Sequence, residues 1–168
     1  LLRHFHGPLA GAEAVIIGEG QLKADLVKLA EQLGVLDKVK FLGVVEPHEV
    51  KQYVHAAKVL AFPSVTDAEA FGIVQLEAMS AGTPVVNTAL GTAVPNVARD
   101  GKEGLTVPPN EPAAFAEALR RLLDQPAFAA KLGEAGKERV RTEFSQSLFL
   151  SRMQEVYKEA LQRRRSAS

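Results

Sequence analysis

Short apolar runs alternate with longer amphipathic stretches along the first two thirds of the chain. The runs are rich in β-branched residues and lie at 14–18, 39–42, 59–62, 84–87 and 105–107. The stretches between them repeat apolar residues at helical spacing, as Leu22, Leu26, Leu29 and Leu33 do before Gly34. Strands that alternate with helices indicate βα units and a parallel sheet. We therefore expect an α/β fold with a Rossmann-like, doubly wound parallel sheet.

The rest of the chain is predicted to be helical. Residues 108–110 interrupt the pattern, and Asn110 is a candidate cap for a helix over 111–124. Pro126 starts another helix, and Ser145 is the candidate cap for a last one with apolar residues at helical spacing. We expect one domain over 1–168, with carboxy-terminal helices over 111–164.

Composition and charge exclude several classes of protein. Twenty Lys plus Arg balance twenty Asp plus Glu, so the broad positive field of a nucleic-acid binder is missing. Without Cys, a disulfide framework and a thiolate zinc site are excluded. No apolar run approaches the roughly 20 residues that span a bilayer. We expect a cytoplasmic protein with no nucleic-acid partner.

The start of the chain has neither an initiating Met nor the basic and apolar layout of a signal peptide. We therefore expect the 168 residues to be part of a longer protein.

Ligands of doubly wound sheets bind at the carboxyl ends of the strands. Four loops follow strands in the predicted order, at 18–20, 43–46, 63–72 and 88–95. The strongest feature is the third loop with the helix after it. Gly72 lets a ligand approach backbone N–H groups that have no partner within the helix, and the helix dipole favours an anion there. This arrangement predicts a phosphate site.

Two acids flank this predicted site. Glu77 has Ile73, Val74, Ser80 and Ala81 as its helical neighbours, so no local base can pair with it. Its carboxylate would accept hydrogen bonds from sugar hydroxyls, and Glu69 would reach another part of the same ligand. The alternative is that Glu77 faces solvent and that Glu69 only complements the helix dipole. Spacing does not decide between the two.

Four segments in order resemble a known family. Residues 69–79, followed by 81–86, closely resemble the Glu-x7-Glu region of the family 4 retaining glycosyltransferases of the GT-B fold. Residues 15–20 are similar to the strand and glycine loop of that family, 39–45 to its next strand and loop, and 101–107 to its last strand. The resemblance implies the carboxy-terminal, donor-binding half of a GT-B enzyme.

The resemblance also implies roles for individual residues. Glu69 is the implied catalytic residue, which contacts hydroxyls of the transferred sugar near the reaction centre, and Glu77 accepts hydrogen bonds from the ribose. The remaining implied donor-binding residues contribute backbone or line the nucleotide cleft: Ala70, Phe71, Gly72 and Ile73 for the sugar and diphosphate, Val44 and Val45 for the base, and Gly18 and Gly20 for the cleft wall.

The implied activity is transfer of a hexose from a nucleoside diphosphate sugar to an acceptor hydroxyl, in polysaccharide or glycolipid synthesis. GDP-mannose is the donor that we expect first, and we expect a UDP-sugar almost as strongly. The implied partner is an acceptor glycan or a lipid-linked sugar, bound by an amino-terminal domain outside this chain. No cofactor and no metal ion are implied. The four His residues lack ligand-like spacing and are interpreted as surface or packing residues.

The chain departs from the family at two places. Asn96 stands where the family often has Glu, which puts the contacts of the 92–96 loop in doubt. The first strand of the family's domain, with its Arg and Lys, is absent from the sequence, although this strand lies in the middle of the sheet. We expect the chain alone to be inactive and to be weakly stable or associated, because a missing strand leaves backbone groups unpaired.

Two alternative functions stay open. A sugar-nucleotide epimerase would need further catalytic carboxylates, and a nucleotide-binding scaffold would bind the nucleotide without turnover.

Two weaker features have other interpretations. Lys23 stands where a dinucleotide fingerprint has Gly or Ala, which argues against a nicotinamide cofactor. Arg163, Arg164 and Arg165 complement the dipole of the last helix, and their alternative role is peripheral attraction to the inner face of a membrane.

Overall fold

The computed structural model describes residues 9–166 and the side chains of residues 9–164. Residues 1–8, which include His4 and His6, and residues 167–168 lie outside the described part. The described elements are, in chain order, β1 (Ala14–Ile17), α1 (Lys23–Gln32), a 3-10 turn (Leu36–Lys38), β2 (Val39–Gly43), α2 (Pro47–Ala56), β3 (Leu60–Ala61), α3 (Ile73–Ala81), β4 (Val85–Thr88), α4 (Val94–Val97), β5 (Gly104–Val107), α5 (Pro112–Asp124), α6 (Pro126–Glu143) and α7 (Gln146–Ser166).

All five predicted strands are present, and the predicted bounds of α2 are confirmed. The prediction that Asn110 caps a helix is wrong, because Asn110 has a positive φ of 62° and α5 begins two residues later. Pro112 sets that start, since its fixed φ suits the first helical turn. Ser145 accepts a hydrogen bond from the backbone N–H of Leu148 (3.4 Å), so the predicted cap of α7 is confirmed.

The strands form two parallel sheets, in the orders β1-β2 and β3-β4-β5. Strands β4 and β5 approach closely, because a Cβ added to Gly104 would lie 2.2 Å from the carbonyl oxygen of Val85. Consecutive residues of β4 face different clusters, with Val85 against α2 and α3 and Val86 against α5. Helices therefore cover both faces of this sheet, which confirms the predicted α/β, doubly wound class.

The handedness of the connections orders the two sheets. Helix α1 packs in the larger core cluster and α2 in the smaller one. Because βαβ crossovers are right-handed, two successive helices on opposite faces place their next strands in opposite directions along the sheet. The order in which strands are added therefore reverses at β2. Strand β3 then lies on the β1 side, and no strand within residues 9–166 pairs with both β1 and β3. This gap is where the missing first strand of the family was expected.

Within residues 9–166, the β1-β2 sheet is covered on one face only. Ala14 and Ile16 pack into the core, whereas Val15 is 44% exposed on the other face. Lys40 of β2 is also exposed on that face. Within residues 9–166, no helix is both long and apolar enough to cross a membrane.

Candidate functional site

The loop from β3 to α3 ends in a glycine that no other residue could replace without strain. Gly72 has a φ of 75°, in the left-handed region, and caps α3 without a side-chain hydrogen bond. A Cβ added there would lie 2.8 Å from both the Phe62 ring and the Gln75 amide. Gly72 is therefore required by its left-handed backbone and by the side chains packed against it, while the approach of a ligand to the N–H groups beside it stays a prediction.

The Glu69 carboxylate lies over the start of α3. Its Oε1 accepts hydrogen bonds from the backbone N–H groups of Gly72 (3.0 Å) and Phe71 (3.4 Å). Both donors converge on one oxygen, and Glu69 itself is half-buried. Because carboxylates and phosphates suit the same donors, the start of α3 has the geometry of an anion site.

Glu77 lies one turn further along α3 and is exposed. Its backbone carbonyl accepts a hydrogen bond from the Ser80 hydroxyl (2.7 Å), but its carboxylate bonds to no described residue. Glu69 and Glu77 thus have different environments, one bonded to amides and the other in solvent. This arrangement matches the second of the two interpretations of the sequence, in which Glu77 faces solvent and Glu69 complements the dipole at the start of the helix.

The segment after β4 fixes the β3-α3 loop in place. The Thr88 hydroxyl donates to the carbonyl of Ser64 (2.5 Å), and the N–H of Gly91 donates to the carboxylate of Asp67 (3.2 Å). The N–H of Ala93 donates to the carbonyl of Ala70 (3.0 Å). These three bonds tie the two loops together over their whole length.

A buried polar network lies beneath the start of α3. The side-chain amide of Asn87 donates to Gln75 Oε1 (2.8 Å) and to the carbonyl of Ala98 (2.9 Å), and its oxygen accepts from the Thr106 hydroxyl (2.7 Å). Gln75 in turn donates to the carbonyl of Phe71 (3.1 Å). The network was not predicted, although a Gln in an apolar helix and an Asn in an apolar strand are its signal.

The second group of predicted residues lies at the ends of β1 and β2. The N–H of Gly18 donates to the carbonyl of Gly43 (2.7 Å), which brings the two loops together. Val44 is 78% exposed, Val45 is half-buried and Gly20 is exposed.

An open groove of about 640 Å³ runs from Gly20 along α1. Neither Glu69 nor Glu77 lines it.

The predicted site residues form two groups, each in loops that follow parallel strands or in the helix after such a loop. One group holds Glu69, Ala70, Phe71, Gly72, Ile73 and Glu77, and the other holds Gly18, Gly20, Val44 and Val45. No hydrogen bond among the described residues joins the two groups. Each group therefore follows the strands of its own sheet.

A buried charge cluster lies near the site and was not predicted from the sequence. Glu103 is 3% exposed and receives two hydrogen bonds from the Arg99 guanidinium, while Arg139 donates to it at 3.3 Å. Burial opposes ionisation of Glu103, but the hydrogen bonds from Arg99 and the charge of Arg139 outweigh it, so its pKa is below 4.5. Glu103 is thus a carboxylate at neutral pH.

The described residues contain no cluster of three His, Asp or Glu side chains that could hold a metal ion.

Comparison with known proteins identifies relatives over most of the chain. The family model of the glycosyl transferases group 1 matches residues 8–139. The D-rhamnosyltransferase WbpZ of Pseudomonas aeruginosa is 37% identical over 131 residues, which are 78% of this chain and 34% of WbpZ. The D-inositol 3-phosphate glycosyltransferase of Streptomyces avermitilis is 37% identical over 149 residues, or 88% of this chain and 31% of that enzyme. The chain thus spans about a third of the length of these relatives.

Solved structures share the fold. The sucrose-phosphate synthase of Thermosynechococcus elongatus has a TM-score of 0.83 at 28% identity, over 99% of this chain and 43% of that one. HepE of Anabaena, solved in complex with UDP, has a TM-score of 0.82 at 23% identity, over 90% of this chain and 43% of that one. The family match covers well over half of the sequence, and these structures have the same fold. The chain therefore belongs to the glycosyl transferases group 1 family, with the fold of the GT-B enzymes.

Proposed function

We propose that this chain is the donor-binding domain, over 1–168, of a retaining glycosyltransferase that moves a hexose from a nucleoside diphosphate to an acceptor hydroxyl. The observation that carries the proposal is the convergence of the Phe71 and Gly72 N–H groups on one carboxylate oxygen. A phosphate oxygen needs the same donors at a helix start. The family match and the UDP complex of the HepE structure support the same class of donor.

In the proposed reaction, the bond between the anomeric carbon and the diphosphate oxygen breaks, and its electron pair stays on the phosphate. The acceptor oxygen bonds to the anomeric carbon and gives its proton to the departing phosphate oxygen. The backbone amides of residues 70–73 stabilise the charge that develops on the diphosphate, because fixed dipoles need no reorganisation. The N-terminal end of α3 adds its dipole to these amides.

The two acids have separate roles in this proposal. Glu69 leaves the Phe71 and Gly72 amides when the diphosphate arrives and then accepts hydrogen bonds from hydroxyls of the transferred sugar. Glu77 accepts hydrogen bonds from the ribose, and its exposed, unpaired carboxylate supports this role. The loops with Gly18, Gly20, Val44 and Val45 form the nucleotide side of the site.

The donor and acceptor are proposed by class. GDP-mannose is our first choice and a UDP-sugar is the second, and the acceptor is a glycan or a lipid-linked sugar bound by an amino-terminal domain. We place the reaction in the cytoplasm. Arg163 and Arg164, both exposed on α7, support contact with the inner face of a membrane as part of the proposal.

The test uses the native polypeptide that carries this chain. Saturation-transfer NMR with GDP, UDP and their sugars identifies the donor, and we expect Glu77→Ala to weaken nucleoside diphosphate binding about tenfold, since it removes a charged acceptor. Glu155→Ala, which removes an exposed acid of α7, is the control and should leave binding unchanged.

Turnover of the bound nucleotide sugar separates the candidate functions. We expect transfer to an acceptor hydroxyl, and loss of that transfer in Glu69→Ala. Binding without any turnover would instead support a scaffold, and absence of nucleoside diphosphate binding would refute the donor site itself.

A further inference from the structure

Phe71, within the proposed anion site, has a specific aromatic partner at the other end of the chain. Its ring meets the ring of Phe144 edge to face, with centroids 6.3 Å apart and an interplanar angle of 74°. Phe144 directly follows α6, where its N–H donates to the carbonyl of Val140 (3.1 Å). The contact therefore joins the β3-α3 loop to the junction of α6 and α7.

Arg139 holds Phe144 in place. The guanidinium carbon lies 5.3 Å from the centroid of the Phe144 ring, and the side chain is only 11% exposed. Arg139 also donates to the carbonyl of Val97 (2.8 Å), to Glu143 (3.0 Å) and to the buried Glu103 (3.3 Å). Because these acceptors come from three separate segments, the guanidinium has a single position, and the Phe144 ring beside it is equally constrained.

The Phe71 ring helps to position its own backbone, together with the hydrogen bonds of Ala93 to the Ala70 carbonyl and of Gln75 to the Phe71 carbonyl. The N–H of Phe71 and that of Gly72 are the two donors of the proposed anion site. Gly72 has no side chain that could hold this backbone, so Phe71 is the last side chain before α3 that can do so. A ring that loses its partner can move, and the two N–H groups move with it.

We propose that Phe144, oriented by Arg139, is a positioning residue that sets the geometry of the Phe71 and Gly72 amides for the diphosphate. The inference rests on the proposed function and goes beyond it, because it assigns a role in donor binding to a residue about seventy positions from the Glu-x7-Glu segment. Phe144 does not touch the ligand. It acts through the Phe71 ring.

The experiment compares phosphate recognition with nucleoside recognition in the native polypeptide. NMR titrations measure the affinities for the nucleoside diphosphate and for the corresponding nucleoside, with GDP and guanosine as one pair and UDP and uridine as the other. Phe144→Ala should weaken diphosphate binding about 3- to 10-fold, as expected for an aromatic pair, and change nucleoside binding less than twofold. Phe144→Tyr keeps the ring and should restore the wild-type ratio.

Phe128→Ala is the matched control. Phe128 lies in α6 and, like Phe144, is a half-buried phenylalanine with an arginine over its ring. The guanidinium carbon of Arg121 lies 4.5 Å from the centroid of the Phe128 ring. It packs against the larger core cluster, whereas Phe71 packs against the smaller one. Phe128→Ala should lower Tm as Phe144→Ala does, without changing the ratio of the two affinities.

The outcomes separate the two proposals. If the wild-type protein binds no nucleoside diphosphate, the proposed function fails and this inference fails with it. If the wild-type protein binds and Phe144→Ala behaves like Phe128→Ala, only the positioning role is refuted. Should Phe144→Ala not fold, Arg139→Lys keeps the charge but loses the planar contact with the ring, and it must lower the same ratio for the proposal to stand.

Discussion

In the proposed site, Glu69 and a bound diphosphate would use the same two hydrogen-bond donors. The carboxylate accepts from the amides of Phe71 and Gly72, so a phosphate oxygen can reach them only after Glu69 has moved away. Two anions at one site also repel each other. At the scale of this residue, we infer from the proposed function that Glu69 competes with the free diphosphate and that its displacement makes the carboxylate available to sugar hydroxyls.

We therefore predict that Glu69→Gln binds free GDP or UDP more tightly than the wild-type protein, by about fivefold, because the competing charge is removed. Transfer of the sugar should fall at least about 100-fold in the same variant. NMR titration and an assay of released nucleoside diphosphate measure the two effects. Glu77→Gln is the control, which should weaken binding. Weaker binding by Glu69→Gln would contradict the competition.

At the scale of the elements, α6 packs closely against the end of α3. A Cβ added to Gly133 would lie 2.0 Å from the backbone carbonyl oxygen of Gly82. At Gly136 the nearest atoms are Cγ, Cβ and Cα of Met79, at 3.2 to 3.4 Å, so an added Cβ would need a shift of only a few tenths of an ångström. Gly133 therefore determines how closely the helix that precedes Phe144 approaches the helix of the proposed site.

Gly133→Ala should lower the free energy of unfolding by about 1–3 kcal/mol, because the clash with backbone exceeds the gain in helix propensity. Gly136→Ala, in the same helix, should be within about 1 kcal/mol of the wild-type value. Urea unfolding followed by circular dichroism compares the two. Equal effects of the two substitutions would rule out the close approach at Gly133.

The cluster of Glu103 with Arg99 and Arg139 makes the packing of these elements depend on pH. The folded pKa of Glu103 is below its ordinary value of 4.5, so its carboxylate stabilises the fold above that pH. This contribution is lost as pH falls from about 4.5 through the folded pKa. Glu103 is buried, so solvent screens its ion pairs much less than it screens the exposed pair of Glu138 with Arg141.

We predict that the loss of stability below pH 4.5 becomes shallower in Glu103→Gln, as measured by the urea midpoint from pH 6 to pH 3. Glu138→Gln, which removes an exposed carboxylate with the same direction of pKa shift, should leave the slope nearly unchanged. An identical slope in the wild-type protein and Glu103→Gln would exclude Glu103 as its source.

At the scale of the whole molecule, the part of the chain that the structure describes leaves edges of the two sheets without a partner strand. Strands β1 and β3 are not paired with each other, and Val15 is 44% exposed on the uncovered face of β1. Unpaired strand edges and exposed apolar side chains promote association. The aligned parts cover 34% and 31% of the two relatives, so these proteins contain further chain that could cover such a surface.

We predict that the 168 residues alone associate or unfold over a broad temperature range, whereas the native longer polypeptide unfolds cooperatively. Size-exclusion chromatography with light scattering measures association, and calorimetry measures cooperativity. Val15→Thr, which keeps the shape but lowers the hydrophobicity of the exposed face, should reduce association. A monomeric chain with one sharp transition would disprove this prediction.

Much of the fold was predictable because strand and helix periods are local properties of the sequence. All five strands and the bounds of α2 followed from apolar spacing and turn residues. Helix α4 was not predicted, since four residues with a Pro carry no helical period. Asn110 was misassigned because its preference for caps and its tolerance of positive φ have the same sequence signal.

The sequence by itself determined the order of the strands and helices, the family and the glycine at the start of α3, because each depends on neighbouring residues. The tertiary structure decided which carboxylate meets the amides, and it left Glu77 in solvent. It also decided that Phe144 and the cluster of Glu103 stand behind the site. The contacts of Phe144 with Phe71 and of Arg139 with Glu103 join residues tens of positions apart, so packing between elements, which no local pattern encodes, determines them.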